Sequence, residues 1–546
     1  MARVSIVAMM VRLRRLFLSP VFLITLTAFL TACVVQSGEL GTSDTTHRLQ
    51  TAHSFWTSQP PVFPNEYPEF GIHGRGGKLY SWYGIGQSLL MLPADIVGTY
   101  VNRLPIFKDY GDDPVPRSIV VSYSTNILTC VLSVLVCYRL LGQFDFSVDQ
   151  RVAGVLALLF CTTFLHYTQN MMENNYIFLL TMTGLAFHYK WVRTGSQPAL
   201  CIGAGALGLN LLTRLTTGLD LLAVSLFVVL VLWFTGTRGS NLRSRVAEYV
   251  KFALPVYLVF GALDRAYQYY RFGSLFNTYL ELYGREQRML DPTLPANFPF
   301  DGSFWAGFVG PLIRPEKSIF LFDPLILLTV LVSALVWRSF RPEIRAYLIA
   351  FGLLLIAYMS FYAKYYDWAG DFAWGDRYVS TAVQIVAFIS VPLLMRHVAQ
   401  LGKVVCGIGV GLAMAAALVQ IASVMFWCPL EIYQMETLGH PTFVIWLRLK
   451  NIVAFAWGKM DQWGLTNEAM QEDPWDYVHI TTYDFLPFLL ARVGRAPDWV
   501  VRLTKAVWFA GLASLLIVLA QVRRCLTRGV FERSAPDLNP IAEQRV

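Results

Sequence analysis

The run AYLIAFGLLLIAYMSF, Ala346–Phe361, carries no charge. It is followed within a few residues by the connector WAGDFAWGDRYVS, Trp368–Ser380, and then by a second apolar run that continues to Leu394. The apolar residues do not alternate, and they leave no polar stripe of helical period. A helix that is apolar all round is buried in protein or in lipid. About 20 residues at a rise of 1.5 Å each cross the hydrocarbon core of a bilayer. The polar connector between two such runs is then the part that meets water.

The same alternation of apolar run and polar connector extends along the chain in both directions. The protein has 546 residues, of which 55% are hydrophobic and only 15% charged, and its mean hydropathy is +0.47. Soluble domains carry about 25% charged residues. The runs predict an all-α polytopic membrane protein with about twelve transmembrane helices, near 16–35, 117–141, 152–168, 174–192, 199–213, 217–235, 252–270, 319–337, 346–363, 377–395, 403–426 and 502–522. Those on either side of Arg214 are short enough to form a single broken hairpin.

The net charge of +8 does not indicate nucleic acid, because the basic residues form no stripe interleaved with aromatics. They sit in short connectors on one side, as the positive-inside rule requires. That orientation places both termini in the cytoplasm. It puts the long connectors 36–116, 271–318, 364–376 and 427–501 outside, where interfacial helices are expected within them. The segment WLRLKNIVAFAWGKM, Trp446–Met460, is expected to lie along the membrane, since Arg448, Lys450 and Asn451 oppose spanning. The eight cysteines show no CxxC spacing and no disulfide framework. Arg12, Arg14 and Arg15 precede a run ending LTAC, Leu30–Cys33, which resembles a lipoprotein processing site. The many spans that follow favour an uncleaved first helix.

Candidate chemistry gathers in the outer connectors. Asp44 follows a Gly/Ser/Thr turn, and Ser43 or Asp44 is placed to cap the helix after it. In GRGGKLYSWYGIGQSLLMLPADIVGTYV, Gly74–Val101, the glycines open the backbone to a ligand. Arg75 and Lys78 suit a phosphate. The stretch Ile85–Val101, broken by Pro93 and Asp95, reads as an interfacial helix. Glu173 lies in YTQNMMENNYIFLL, Tyr167–Leu180, close to a membrane edge. Arg214 sits deep in apolar sequence and needs a carboxylate or a lipid phosphate. Arg314 and Lys317 are cations at another edge. In the opening connector, Trp368 and Trp374 could stack on a sugar or a prenyl unit. Asp371 and Asp376 could bind hydroxyl groups, and Arg377 a phosphate.

An acid after the first span, then YSWYGIGQSLL, LGLNLLTRLTTGLDLL, RFGSLFNTYLELYG with GFVGPLIRPEKSIFLFDPLILL, and WAGDFAWGDRYVS follow one another in order. Together they resemble the bacterial GT-C class of membrane glycosyltransferases, related to protein mannosyltransferases and lipid A aminoarabinose transferases. Thr45 stands where a second acid is usual, Leu215 and Asp376 where proline is usual, and RPEKS replaces a Gly-rich form. The resemblance covers roughly residues 16–395. It implies inverting transfer of a sugar from a polyprenyl-phosphate carrier to an acceptor hydroxyl of a glycan, lipid or protein, on the outer face of the cell (inner) membrane.

By this resemblance Asp44 is the base and Glu173 the second catalytic acid. The donor phosphate falls to Arg75, Lys78, Arg214, Arg314, Lys317 and Arg377, and the sugar to Tyr80, Trp368, Asp371, Trp374 and Asp376. A divalent metal (Mg or Mn) at Asp44 and Glu173 is compatible with the pattern, although no ligand spacing marks one. Residues 1–426 would form the catalytic membrane region, 427–501 an outer interfacial segment, and 502–546 the last span and tail. The rival readings are a lipid-linked sugar flippase or other transporter, and a non-catalytic scaffold.

Overall fold

The computed structural model describes residues 19–63, 71–107, 114–237, 239–370, 373–427, 429–436, 438–459, 482–493 and 496–529. The protein is helical throughout these. The described strands form one short antiparallel ribbon, Ile72–His73 with Leu79–Tyr80, in which Ile72 faces Tyr80. Six helices are long and apolar enough to cross a membrane: Pro116–Gln143, Leu215–Phe234, Asn241–Phe272, Pro342–Tyr362, Val398–Ser423 and Asp498–Thr527. The last leaves Leu503, Val507, Leu516 and Ile517 exposed. An apolar surface of this kind needs lipid rather than water against it. The chain is an all-α polytopic membrane protein.

The other six expected spans are also helical, and most are short or broken. Pro20–Val35, Asn174–Thr194 and Gln197–Thr213 are continuous. Three runs each split in two: Val148–Cys161 with Phe164–Gln169, Ile319–Phe322 with Leu325–Val336, and Ser380–Phe388 with Ser390–Arg396. Asp323 precedes Pro324, which disfavours the helical conformation at Asp323. Backbone groups freed inside a membrane must be satisfied internally, and here side chains do this. The Thr163 N–H donates to the Asp323 carboxylate at 2.7 Å. The side-chain amide of Asn175 donates to the Phe164 carbonyl at 2.9 Å, and that of Gln420 to the Phe322 carbonyl. The runs flanking Arg214 are two helices joined by a tight turn, Leu215–Thr217.

The long connectors hold the expected extra helices. Ser43–Ser54 and Gly86–Asn102 lie in the first, Tyr279–Leu290 and Phe304–Ile313 in the second, and Pro429–Glu436, Val444–Ala456 and Leu486–Val493 in the fourth. Two local expectations need correction. Thr42, not Ser43 or Asp44, caps the first of these helices, accepting from the Thr45 N–H at 3.3 Å. Asp44 is thereby released for other contacts. In Val444–Ala456, Arg448 and Asn451 are fully buried rather than facing a membrane surface. Arg448 grips both Glu431 oxygens at 2.6 Å and donates to the carbonyls of Ala422, Ser423 and Phe426. It is a cation closing the C-terminus of Val398–Ser423, where the helix dipole favours one.

The helix that carries Asp44 is fixed by a buried carboxylate. Gly86–Asn102 continues through Pro93 and turns Asp95 fully inward. Asp95 accepts from His53 Nδ1 and Trp56 Nε1, each at 2.8 Å, and from Arg117 Nε at 2.6 Å. It thus ties Ser43–Ser54 and Gly86–Asn102 to Pro116–Gln143. Removing one member of a buried charged pair costs about 3–5 kcal/mol. Asp95→Asn is therefore expected to lower the thermal unfolding midpoint in bilayer discs clearly. An unchanged midpoint would show that the tie carries no load.

Candidate active site

The long connectors converge at one end of the bundle around a cavity of about 230 Å³. Its floor is a set of buried charges. Glu173 flanks the start of Asn174–Thr194 and is buried. It meets Arg48 at 2.5 Å and also pairs with Arg214. Beside it, Arg377 donates to Asp44 at 2.7 Å. The Tyr83 hydroxyl also hydrogen-bonds Asp44, and the Arg48 guanidinium lies 3.9 Å over the Tyr83 ring. Side-chain exposure of these five pair-forming arginines and acids reaches only 16% at most, so solvent screens the pairs weakly.

The local sequence explains this placement. Asp44 and Arg48 are four apart on one helix and share a face. Arg377 follows a turn in which Gly370 and Gly375 adopt φ of 73° and 71°. A side chain at Gly370 would strike the Arg377 stem, its Cβ meeting Cγ at 2.6 Å. The Arg377 carbonyl accepts from the Asn174 amide at 2.7 Å, which locks the connector onto the helix that follows Glu173.

The remaining walls are aromatic and basic. Seven tyrosines line the cavity: Tyr83, Tyr279, Tyr283, Tyr362, Tyr365, Tyr366 and Tyr378. Tyr362 stacks on Tyr378 at 4.2 Å. Five arginines (Arg48, Arg214, Arg265, Arg271, Arg377) face four acids (Asp44, Glu173, Asp264, Asp367). Asp264 pairs with Arg265 at 2.5 Å. Arg271 is buried and donates to the carbonyls of Ser81 and Tyr83 at 2.5 and 2.9 Å. It contacts no carboxylate among the described residues, and its Nε has no hydrogen-bond partner there. Among the described residues the cavity therefore holds one more cation than anions.

Of the residues singled out from the sequence, Asp44, Glu173, Arg214 and Arg377 meet here. The other described site candidates do not line the cavity. Trp374 is fully buried, 5.1 Å from the Phe322 ring and 5.0 Å beneath Arg448. Lys317 donates to the carbonyls of Ala373 and Gly375 at 2.9 and 3.1 Å, and so supports the turn. Asp376 accepts from the Tyr378 N–H at 3.0 Å. Trp368 packs against Gly310 and under Arg314 at 5.3 Å, while Arg314 faces Glu316 at 3.7 Å. Tyr80 is buried against Tyr270 and Phe272. Arg75 stacks 5.1 Å over Tyr269, and Lys78 is exposed on the ribbon. Asp371 lies outside the described residues.

Arg48, Arg271 and the tyrosine wall were missed by sequence reasoning. The i, i+4 spacing from Asp44 was a usable signal for Arg48. An arginine closing an apolar span was one for Arg271.

Burial alone would raise the Asp44 carboxyl, but Arg377 and Arg48 outweigh it and hold the group below its ordinary value. At Glu173 burial is likewise outweighed, here by Arg214 and then Arg48, and the pKa falls to about 2. Asp376 lacks comparable compensation, and burial raises it to about 7. The donor set does not fit a divalent cation, since both carboxylates are already held by three guanidinium groups that would repel it. Among the described residues no group of three His, Cys, Asp or Glu side chains is placed to hold a metal ion.

No known protein family matches the chain, and no curated protein matches it. Seven solved chains do match by structure. One is the apo oligosaccharyltransferase of Archaeoglobus fulgidus, with a TM-score of 0.40 and 14% identity over 85% of this chain. The present chain spans 60% of that protein's length. Another is ArnT from Cupriavidus metallidurans bound to undecaprenyl phosphate, with a TM-score of 0.40 and 14% identity over 93% of this chain and 77% of ArnT. Likeness at this level leaves the chemistry to be argued from the site's own residues.

The Glu173 shift sets an acid dependence. Its folded pKa is depressed, so its contribution to stability is complete above the ordinary carboxyl value and is lost as pH falls toward about 2. Glu173→Gln is expected to flatten this acid limb and to destabilise the protein at neutral pH, because it strands Arg48 and Arg214. Thermal melts across about pH 2–7, a range that contains the interval between the folded and ordinary carboxyl values, measure both effects.

Proposed function

We propose that the protein is a glycosyltransferase. It moves a sugar from a polyprenyl-phosphate carrier to a hydroxyl group on a glycan, lipid or protein at the outer face of the cell membrane, with both termini cytoplasmic. The observation that carries this reading is the cavity itself. It combines an acid paired with an arginine, a buried arginine without a carboxylate partner among the described residues, and a wall of tyrosines, at one end of an apolar bundle. Guanidinium groups suit a phosphate. Tyrosine rings and hydroxyls suit a sugar, which presents C–H faces and hydroxyl edges.

The reaction follows from the charges. The acceptor oxygen attacks the anomeric carbon, the bond from that carbon to the phosphate oxygen breaks, and the electron pair leaves with the phosphate. One attack inverts the centre. Negative charge grows on the leaving oxygen, and Arg377, Arg214 and Arg271 are the cations positioned around the cavity to receive it.

Asp44 takes the acceptor's proton. In the resting site its pairing with Arg377 makes it a weak base. A donor phosphate that draws Arg377 away would leave burial dominant and raise the carboxyl toward a useful value. Glu173 stays paired and acts as a positioning residue for Arg48 and Arg214. What favours transfer over lipid-linked sugar transport is the packing between the two ends of the bundle. Among the described residues Phe178, Met182, Leu185 and Phe227 belong to one buried apolar core there.

The test uses the purified protein in bilayer discs with a polyprenyl-phosphate-linked sugar. Asp44→Asn is expected to lower kcat about 10²–10⁴-fold while leaving donor binding intact. Arg271→Ala should chiefly raise KM for the donor. Full transfer by Asp44→Asn would exclude it as the base. Absence of donor binding by the unmodified protein would exclude the whole assignment.

A further inference from the structure

The end of the bundle opposite the cavity carries a second built feature. The C-terminal turns of Pro116–Gln143 and Asn174–Thr194, together with the first turn of Val148–Cys161, enclose a groove of about 460 Å³. Arg139, Arg151, Lys190 and Arg193 line it, and no carboxylate does. Its inner wall is apolar, formed by Val136, Ala186 and Phe187. We propose that this groove holds the head group of an anionic phospholipid from the leaflet opposite the catalytic cavity, with an acyl chain along Val136 and Phe187.

Cations in short connectors follow from membrane orientation alone, so charge by itself proves nothing. Three observations go further. Arg151 is not a loop cation. Its guanidinium lies 4.9 Å over the Tyr138 ring and against Gly142, where a Cβ would meet its Nη1 at 2.8 Å. Its Nε is buried and has no hydrogen-bond partner among the described residues. Arg151 also sits in the first turn of a helix, where the dipole disfavours a cation.

Second, two nearby acids, Asp145 and Glu343, are committed elsewhere. Asp145 pairs with Arg341 at 2.7 Å and only loosely with Arg193, at 3.8 Å, while Glu343 pairs with Arg341 at 2.5 Å. Arg139, Arg151 and Lys190 form no ion pair among the described residues. Third, the neighbouring cavity that shares Arg193 contains Glu248 and Glu343 and is balanced internally. The groove's own charge is not balanced by any acid among its described lining residues, and that lining passes from a polar mouth to an apolar wall. A phospholipid phosphate with its acyl chain has that same sequence of chemistry. The proposal is independent of the reaction at the other end.

The test is lipid retention by the full-length protein. The protein is purified from discs containing both phosphatidylglycerol and phosphatidylcholine, and bound lipid is counted by native mass spectrometry. Phosphatidylglycerol is expected to be retained preferentially. The triple variant Arg139→Ala, Arg151→Ala, Lys190→Ala should lose that preference by on the order of a hundredfold, at about fivefold per basic residue. Its unfolding midpoint in phosphatidylcholine alone should not change. Equal retention of the two lipids by the unmodified protein, or a preference that survives in the variant, overturns the proposal. Should the variant misfold, a photoactivatable phosphatidylglycerol analogue on the unmodified protein decides. Labelling at Val136 or Phe187 supports the groove, and labelling confined to other surfaces refutes it.

Discussion

The site depends on the requirement that a guanidinium taken out of water be paired. Arg48, Arg214 and Arg377 come from three distant parts of the chain, and all enter the same poorly solvated space. Two carboxylates, Asp44 and Glu173, are what make their coexistence tolerable. The arrangement holds the ends of several helices in register because each partner is costly to leave alone. Asp44 differs from Glu173 in this respect. Among the described residues it forms an ion pair with one arginine, Arg377, whereas Glu173 is shared by two, so in the proposed reaction Asp44 is the acid that an incoming anion would release.

That same rule explains how much of the site was legible in the sequence. Arg214 inside apolar sequence and Glu173 at a membrane edge were conspicuous because such residues are expensive there, and they do find each other. The helical runs were legible for a related reason, since lipid dictates length and composition. What could not be read was which polar group faces the cavity and which faces the protein. Trp374, Lys317 and Asp376 have the residue types of a sugar or phosphate site. The connector nevertheless uses them to hold its own turn: Lys317 on two carbonyls, Asp376 on a backbone N–H, and Trp374 beneath Arg448. Composition does not separate a tryptophan that stacks on a ligand from one that seats a loop. Arg271 was hidden in another way, because its partners are backbone carbonyls with no signature in the sequence.

The broken helices show a second limit of pattern reading. An apolar run of span length was taken as one rod, yet three runs interrupt at Thr162, Asp323 and Ile389. The first two breaks face each other through Thr163 and Asp323. Gln384, on the third run, reaches Thr163 as well, at 3.2 Å. Single polar residues in these runs look incidental along the sequence. In the fold they supply the hydrogen bonds that an interrupted backbone lacks in a non-aqueous interior.

Enclosure of the charge pairs also sets how the protein responds to electrolyte. Mobile ions weaken an attraction only where they can gather between and around the partners, within a screening length of about 8 Å at physiological ionic strength. The Glu173 cluster excludes them, whereas Arg314 and Glu316, outside the cavity lining, stand open to them. Concentrated salt therefore weakens the Arg314–Glu316 pair and leaves the cavity's charged floor in place.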